Sequence, residues 1–336
     1  MSASRHNRRS ARPIEDLPSL FGPEADDAAF EVTDAVADDT SATAADVEDA
    51  FTVAEEYSRP LDRLRFISFG SGSSGNCSYI GTPEAGVLID AGVDNNFVTR
   101  ELQRNGIDIS TVKGIILTHD HGDHVRYAYA LLRRNRGMLL YCTPRILEGI
   151  LRRHNTSRRI KEYHSPIFKE HEYLIGSMRI TPFETSHDGT DNCGFHITHN
   201  GTAFVVATDM GYVTERADHY IRLANVLMIE SNYDEQMLTT GRYAEYLKSR
   251  IRSNTGHMDN ADTARYLTEI YTPKLTHIFL CHLSEDNNTP ETAMATALNA
   301  LRTVSVLPAS SAVNVAPGTV YIMPLPRFTT TELFAF

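Results

Sequence analysis

From Leu64 onward, apolar and polar residues alternate in short bursts separated by glycine- and serine-rich breaks. Leu64-Arg65-Phe66-Ile67-Ser68-Phe69 reads as a strand. It runs into Gly70-Ser71-Gly72-Ser73-Ser74-Gly75-Asn76, a loop too rich in glycine for helix or strand and able to bring backbone N–H groups close to an anion. The pattern predicts further strands over Cys77–Ile80, Gly86–Gly92, Lys113–Thr118, Met138–Cys142, Met178–Phe183, Gly194–Thr198, Ala203–Thr208, Val226–Glu230 and Thr276–His282. Helices are predicted over Asn96–Gly106, Val125–Arg134, Thr143–Arg153, Glu215–Leu223, Arg242–Arg250, Asn260–Ile270 and Glu291–Arg302. Short, largely antiparallel strands interspersed with helices predict two sheets packed face to face with helices outside. There is no internal repeat.

The leading segment breaks this pattern. Residues 1–60 carry fourteen Asp and Glu against five Arg, so nine of the chain's eleven net negative charges lie there. That segment has few large apolar residues and cannot offset its ordering entropy by burial, so it reads as a disordered acidic tail, with a short helix conceivable around 44–57. The folded domain is expected over 61–336. No charged start leads into an apolar segment and no run approaches the length of a membrane span, which predicts a soluble, cytoplasmic protein without membrane association. Cys77, Cys142, Cys193 and Cys281 show no paired-ligand spacing and fit reduced thiols.

The chemistry concentrates at one strand end. Thr118-His119-Asp120-His121-Gly122-Asp123-His124 follows the apolar run Gly114–Leu117. Alternation along an extended segment would send His119, His121 and Asp123 to one side, and a turn at Gly122 would return His124 to join them. Imidazole and carboxylate donors suit Zn²⁺, Mn²⁺ or Fe, and four of them are too many for one open catalytic ion unless a second shares the site. Further ligands should then sit at other strand tips, and three residues occupy such positions: His187 after the strand ending at Phe183, Asp209 after the strand ending at Thr208, and His282.

His-x-His-x-Asp-His followed by His, Asp and His at strand ends resembles the metallo-β-lactamase-fold hydrolases. Phe69-Gly-Ser-Gly-Ser-Ser-Gly-Asn76, Leu88-Ile-Asp-Ala-Gly92, Thr185-Ser-His-Asp-Gly189, Glu230-Ser-Asn-Tyr-Asp234, Gly256-His-Met-Asp-Asn260 and Cys281-His-Leu-Ser-Glu-Asp-Asn-Asn288 look like the WalJ/YycJ branch, a resemblance spanning residues 64–336. It implies a four-layer αββα sandwich of the α/β (α+β) class and metal-dependent 5′→3′ exonuclease action on DNA. It also implies that His119, His121 and His187 hold one divalent ion, that Asp123, His124 and His282 hold the other, and that Asp209 bridges them. Asp90 would buttress the loop behind the ligands.

Two ions can share a hydroxide nucleophile and bind a phosphoryl oxygen, but the leaving alkoxide still needs a proton. His257, in a loop before a predicted helix, and Glu230, at a strand end, match the proton-donating His–Glu pair of tRNase Z-like members of the superfamily. With Asp123 they are the expected catalytic groups. Ser73, Ser74 and Asn76, and Ser284, Asn287 and Asn288 beyond the last ligand, are candidates for gripping a terminal phosphate. Arg133, Arg134, Arg136 and the basic run Arg152–Lys161 could track a nucleic-acid backbone. Two other readings stay open on the residues: hydrolysis of a small phosphodiester or other ester, and a non-catalytic protein that keeps metal for stability. No protein partner is identifiable.

Overall fold

Strand formation and strand order place the chemistry before any side chain is considered. The computed structural model describes residues 62–336. The expected acidic tail and its boundary at residue 60 lie outside the described residues. One sheet contains β1 (Arg65–Gly70), β2 (Cys77–Gly81), β3 (Gly86–Ile89), β4 (Val112–Ile116), β5 (Leu139–Cys142), β6 (His164–Pro166) and β15 (Phe334–Ala335), in the order β15-β1-β2-β3-β4-β5-β6. The other contains β7 (Tyr173–Ile175), β8 (Met178–Glu184), β9 (Cys193–His199), β10 (Thr202–Ala207), β11 (Val226–Glu230), β12 (His277–Cys281), β13 (Leu307–Pro308) and β14 (Thr319–Pro324), ordered β13-β14-β12-β11-β10-β9-β8-β7.

The pairing is mixed rather than largely antiparallel. β3, β4, β5 and β6 run parallel, as do β10, β11, β12 and β14. The reason is the helices between them. Asn95–Arg104 separates β3 from β4, Pro144–Arg153 separates β5 from β6, and Asn260–Ile270 precedes β12, so each serves as a crossover between parallel neighbours. Antiparallel pairing is kept where connections are short, as between β8 and β9 or β9 and β10.

The central strands β10, β11 and β12 are buried on both faces, which is why their sequences read as continuous apolar runs. Alternation still sorts the side chains. Phe204, Met228 and Phe279 join Phe66 of β1 in the layer between the sheets, with Phe66 ring centroids 4.8 Å from Phe204 and 5.0 Å from Phe279. Val205, Leu227, Ile229, Ile278 and Leu280 point the other way and pack with Ala217, Ile221, Leu267, Ile270, Ala297 and Leu301 of the outer helices. Each large apolar side chain fully buried here stabilises the fold by roughly 1.5–3 kcal/mol.

Several boundaries differ from those the pattern predicts. β3 and β4 stop at Ile89 and Ile116, so the residues beyond them are freed to form loops. Helix begins at Gly122, runs to Val125 and resumes over Ala128–Arg134. The expected helix at Arg242–Arg250 covers Glu245–Ile251, and a helix at Glu235–Thr240 carries no clear apolar stripe in the sequence. No helix among the described residues is long and apolar enough to cross a membrane.

Candidate metal centre

Five strands deliver polar residues to one edge of the sandwich: Asp90 one residue past β3, Thr118 two past β4, Asp209 two past β10, Glu230 at the end of β11, and His282 one past β12. Three of them, Asp90 (φ 61°), Asp209 (φ 53°) and His282 (φ 54°), sit in the left-handed backbone region. That conformation is unfavourable for side-chain-bearing residues, by about 1–3 kcal/mol each. The strain turns the chain sharply at the strand tip and swings the side chain back over the edge.

The His119–His124 segment does not continue β4 as an extended strand. His121 has extended backbone and begins the short helix, and Asp123 and His124 come from its first turn. The expected alternation to Asp123 is therefore replaced by a loop followed by a helical turn. The turn works because Gly92 lets the Asp123 carbonyl approach; a Cβ at residue 92 would sit 1.5 Å from that oxygen.

Two triads result. Donor atoms of His119, His121 and His187 lie within 4.8 Å of one another, as do those of Asp123, His124 and His282. In the first, His187 Nε2 is 3.3 Å from His121 Nδ1, and the His187 ring is fixed through Nδ1, 2.9 Å from the Gly256 carbonyl. In the second, Asp123 Oδ2 lies 3.4 Å from His124 Nε2 and 3.3 Å from His282 Nε2. Asp209 stands between the triads, with Oδ2 3.6 Å from His124 Nε2 and Oδ1 3.8 Å from His187 Nε2. Asp209, Glu230, His257 and His282 form a further compact group, and His119, His124 and Asp209 another.

Asp90 lies behind His124, with Oδ2 2.7 Å from its Nδ1, and accepts from the Thr118 hydroxyl at 2.9 Å and the Thr118 N–H at 2.9 Å. Burial would lower the His124 pKa, but the carboxylates of Asp90, Asp123 and Asp209 outweigh it and hold the ring well above its ordinary value. His282 behaves alike: burial opposes its charge, yet Asp209, Asp123 and Glu230 push it up to about 10. His119 is the opposite case, held well below its ordinary value by burial and by the neighbouring His124. Burial likewise lowers His187. The His119 Nε2 is buried without a hydrogen-bond partner. An orphaned imidazole nitrogen among two other imidazoles and a carboxylate fits a divalent cation, because without one the atom forfeits its solvation.

Above the centre, His257 Nδ1 is 2.6 Å from Glu230 Oε1, and Glu230 Oε2 accepts from the backbone N–H groups of Met210 at 2.8 Å and Met258 at 3.2 Å. Glu230 is fully buried; burial pushes its carboxyl up, but His257 and His282 more than offset this and its pKa is lowered. Asp259 caps the helix Asn260–Ile270 by accepting from the Asp262 N–H, fixing the backbone two residues past His257.

The expected phosphate-gripping residues largely face inward. The Asn76 amide nitrogen is 3.2 Å from Asp123 Oδ2 and 3.0 Å from His124 Nε2. Asn288 exchanges hydrogen bonds with Asn260 and donates to the Ser231 and Asn232 carbonyls. Ser284 and Asn287 are buried against each other. Only Ser73 and Ser74 of that set are exposed. Asp188, not singled out from sequence, lies 3.2 Å from His121 Nε2 and accepts from Arg250 Nε at 2.7 Å; its place beside His187 in Thr185–Gly189 was the available signal. Arg153 Nε lies 3.4 Å from the fully buried Asp120, so the basic run starts beside the ligand loop. All four cysteines are buried and unpaired, and burial pushes the Cys193 thiol up to about 12.

Residues 86–279 match the family model described as a beta-lactamase superfamily domain. The chain is 32% identical over 234 residues to exodeoxyribonuclease YycJ of Bacillus anthracis, an alignment covering 68% of this chain and 86% of that protein. It is 31% identical over 239 residues to exodeoxyribonuclease WalJ of Streptococcus pneumoniae, covering 71% and 88% respectively. Among solved structures it is similar to the metallo-beta-lactamase fold protein YhfI from Bacillus subtilis, with a TM-score of 0.56 at 16% identity over 82% of this chain and 100% of that one.

Proposed function

This chain belongs to the β-lactamase superfamily and to its YycJ/WalJ branch, and from that premise we propose that it is a dinuclear metal-dependent phosphodiesterase acting as a 5′→3′ DNA exonuclease. His119, His121 and His187 would hold one divalent ion, Asp123, His124 and His282 the other, with Asp209 between them; Zn²⁺, Mn²⁺ and Fe all suit the donors. Bound there, the pair would supply Lewis acidity toward a phosphoryl oxygen and a nucleophilic oxygen at neutral pH.

The chain's own residues complete the reaction. Hydrolysis breaks one P–O bond, and the departing sugar oxygen needs a proton. His257 gives it from Nε2, while Glu230, fixed by two backbone donors, keeps the Nδ1 side of the ring paired and stabilises the charged imidazole. The water that adds its oxygen to phosphorus releases the proton that restores the ring. The single observation carrying this reading is the pairing of half-buried His257 with buried Glu230 beside the Asp209 carboxylate, with His257 Nδ1 3.9 Å from Asp209 Oδ1. A thioester would have less need of it, because a thiolate can leave without a proton. Four buried, unpaired thiols agree with a reducing cytoplasmic location.

The test is a time course with Mn²⁺ on 5′-labelled and 3′-labelled DNA, single-stranded and duplex. Mononucleotides released first from the 5′ end support the proposal. Degradation of a chromogenic phosphodiester, with DNA and RNA left intact under every divalent metal, overturns it.

A further inference from the structure

A groove of about 290 Å³ opens beside the Asp123/His124/His282 half of the centre. Resting on the nuclease reading above, we infer that this groove seats a nucleoside of the DNA strand whose scissile phosphate lies at the metal pair. Its walls are continuations of the ligand loops. Arg126 and Tyr127 follow His124 by two and three residues, and Gly92 and Val93 follow Asp90. Arg327 arrives from the C-terminal segment and donates from Nη2 to the carbonyl of Leu283, the residue after His282, at 3.0 Å. Ser74 closes the glycine-rich side, its carbonyl accepting from Arg126 Nη1 at 3.3 Å.

The lining combines what a nucleotide needs. Phe97 and Tyr127 are half-buried, while Phe328 is 62% exposed and leaves a ring face open to a stacking partner. The Arg327 guanidinium carbon lies 5.7 Å from the Phe328 ring centroid. A base stacking on such a ring covers it without regard to sequence, and guanidinium groups hold the adjoining phosphate. The cations are available for that purpose. Among the described residues neither Arg126 nor Arg327 is paired with a carboxylate, and Arg327 Nε is buried without a hydrogen-bond partner. Asp94, the lone carboxylate in the lining, is already accepting from the N–H groups of Asn96 and Phe97. Gly72 (φ 150°) leaves the room: a Cβ there would stand 3.3 Å from Arg327 Cγ and Nε.

One groove on the other flank is a poorer seat for a phosphate. The groove below His187 is walled by Glu184 and Glu215, and its Arg216 is already paired with Glu170.

Phe328→Ala and Arg126→Gln test the inference, each assayed with Mn²⁺ on a labelled oligonucleotide and on bis(p-nitrophenyl) phosphate, a diester without a base. The expected result is a fall of about tenfold in the ratio of kcat/KM for the oligonucleotide to that for the small diester, carried by KM, with Phe328→Trp restoring it. Misfolding would lower both activities together and leave the ratio intact, and circular dichroism of each variant identifies that case so that it is replaced by Phe328→Leu. An unchanged ratio in folded variants overturns the inference. If the parent protein cleaves the small diester but no oligonucleotide, the nuclease reading fails first and takes this groove with it.

Discussion

The two halves of the centre are built from the same residue types and solve opposite problems. The His119/His121/His187 half fixes His187 on the Gly256 carbonyl and His119 on the Thr118 hydroxyl, and burial pushes both of these rings toward the neutral form that binds metal. The Asp123/His124/His282 half wedges its imidazoles against Asp90, Asp123, Asp209 and Glu230, so that without an ion the rings would carry protons. One half waits with lone pairs ready. The other has its charge balance satisfied by protons, which an arriving cation must displace. Asp209 reaches both, so the occupancy of the two proposed sites is expected to be coupled.

The largest effect should come from a change that leaves both halves intact. His257→Ala is expected to lower kcat on DNA by about 10²–10⁴-fold while elemental analysis still finds two ions per chain. If an ion is lost as well, the group Asp209, Glu230, His257 and His282 is holding metal, and the division into two triads is wrong.

Next in size is Asp90→Asn, which removes the carboxylate behind His124. Metal affinity of the second half should fall about 10–100-fold, with the first half still occupied, as measured by competition with a chromophoric chelator. Equal loss at both sites would erase the distinction. The pH dependence of binding should also separate the halves. The His282 pKa is raised to about 10 without metal, so the ring is protonated at pH 7 and its proton must leave. Affinity there should therefore climb with pH from 7 toward 10, by about tenfold per pH unit for each proton displaced, and flatten beyond. Affinity of the first half should change little above neutrality. Calorimetry in two buffers of different ionisation enthalpy counts the protons released.

The smallest effect is expected from Asp188→Asn. This carboxylate is partly open to solvent and already engaged by Arg250, so metal affinity of the first half should fall by less than about tenfold. A loss larger than that of Asp90→Asn would reverse the assignment of which half leans on its carboxylates.

The alternation and breaks in the sequence located the strands that carry the centre because those strands are short, apolar and followed by polar residues. His187, Asp209 and His282 stood out for that reason, and the folded chain brings them to the His119–His124 loop. Strand direction was not legible, since the crossover role of Asn95–Arg104 or Pro144–Arg153 depends on which strands become neighbours. The extended run to Asp123 misled because nothing local shows that Gly122 starts a helix; that depends on the fit of the Asp123 carbonyl against Gly92. Asn76, Asn287 and Asn288 look like solvent-facing loop residues by type, and only packing turns them inward. Arg327 sits forty-five residues beyond His282 with no periodicity to recommend it.

The left-handed backbone at Asp90, Asp209 and His282 sets conformation against chemistry. Judged by the local chain alone, glycine or asparagine would be the more comfortable occupant of all three positions. A library of variants selected only for staying folded should drift toward those residues there, whereas one selected for holding ions should not. Where the two libraries diverge marks the positions at which this molecule gives up ease of folding for what it does.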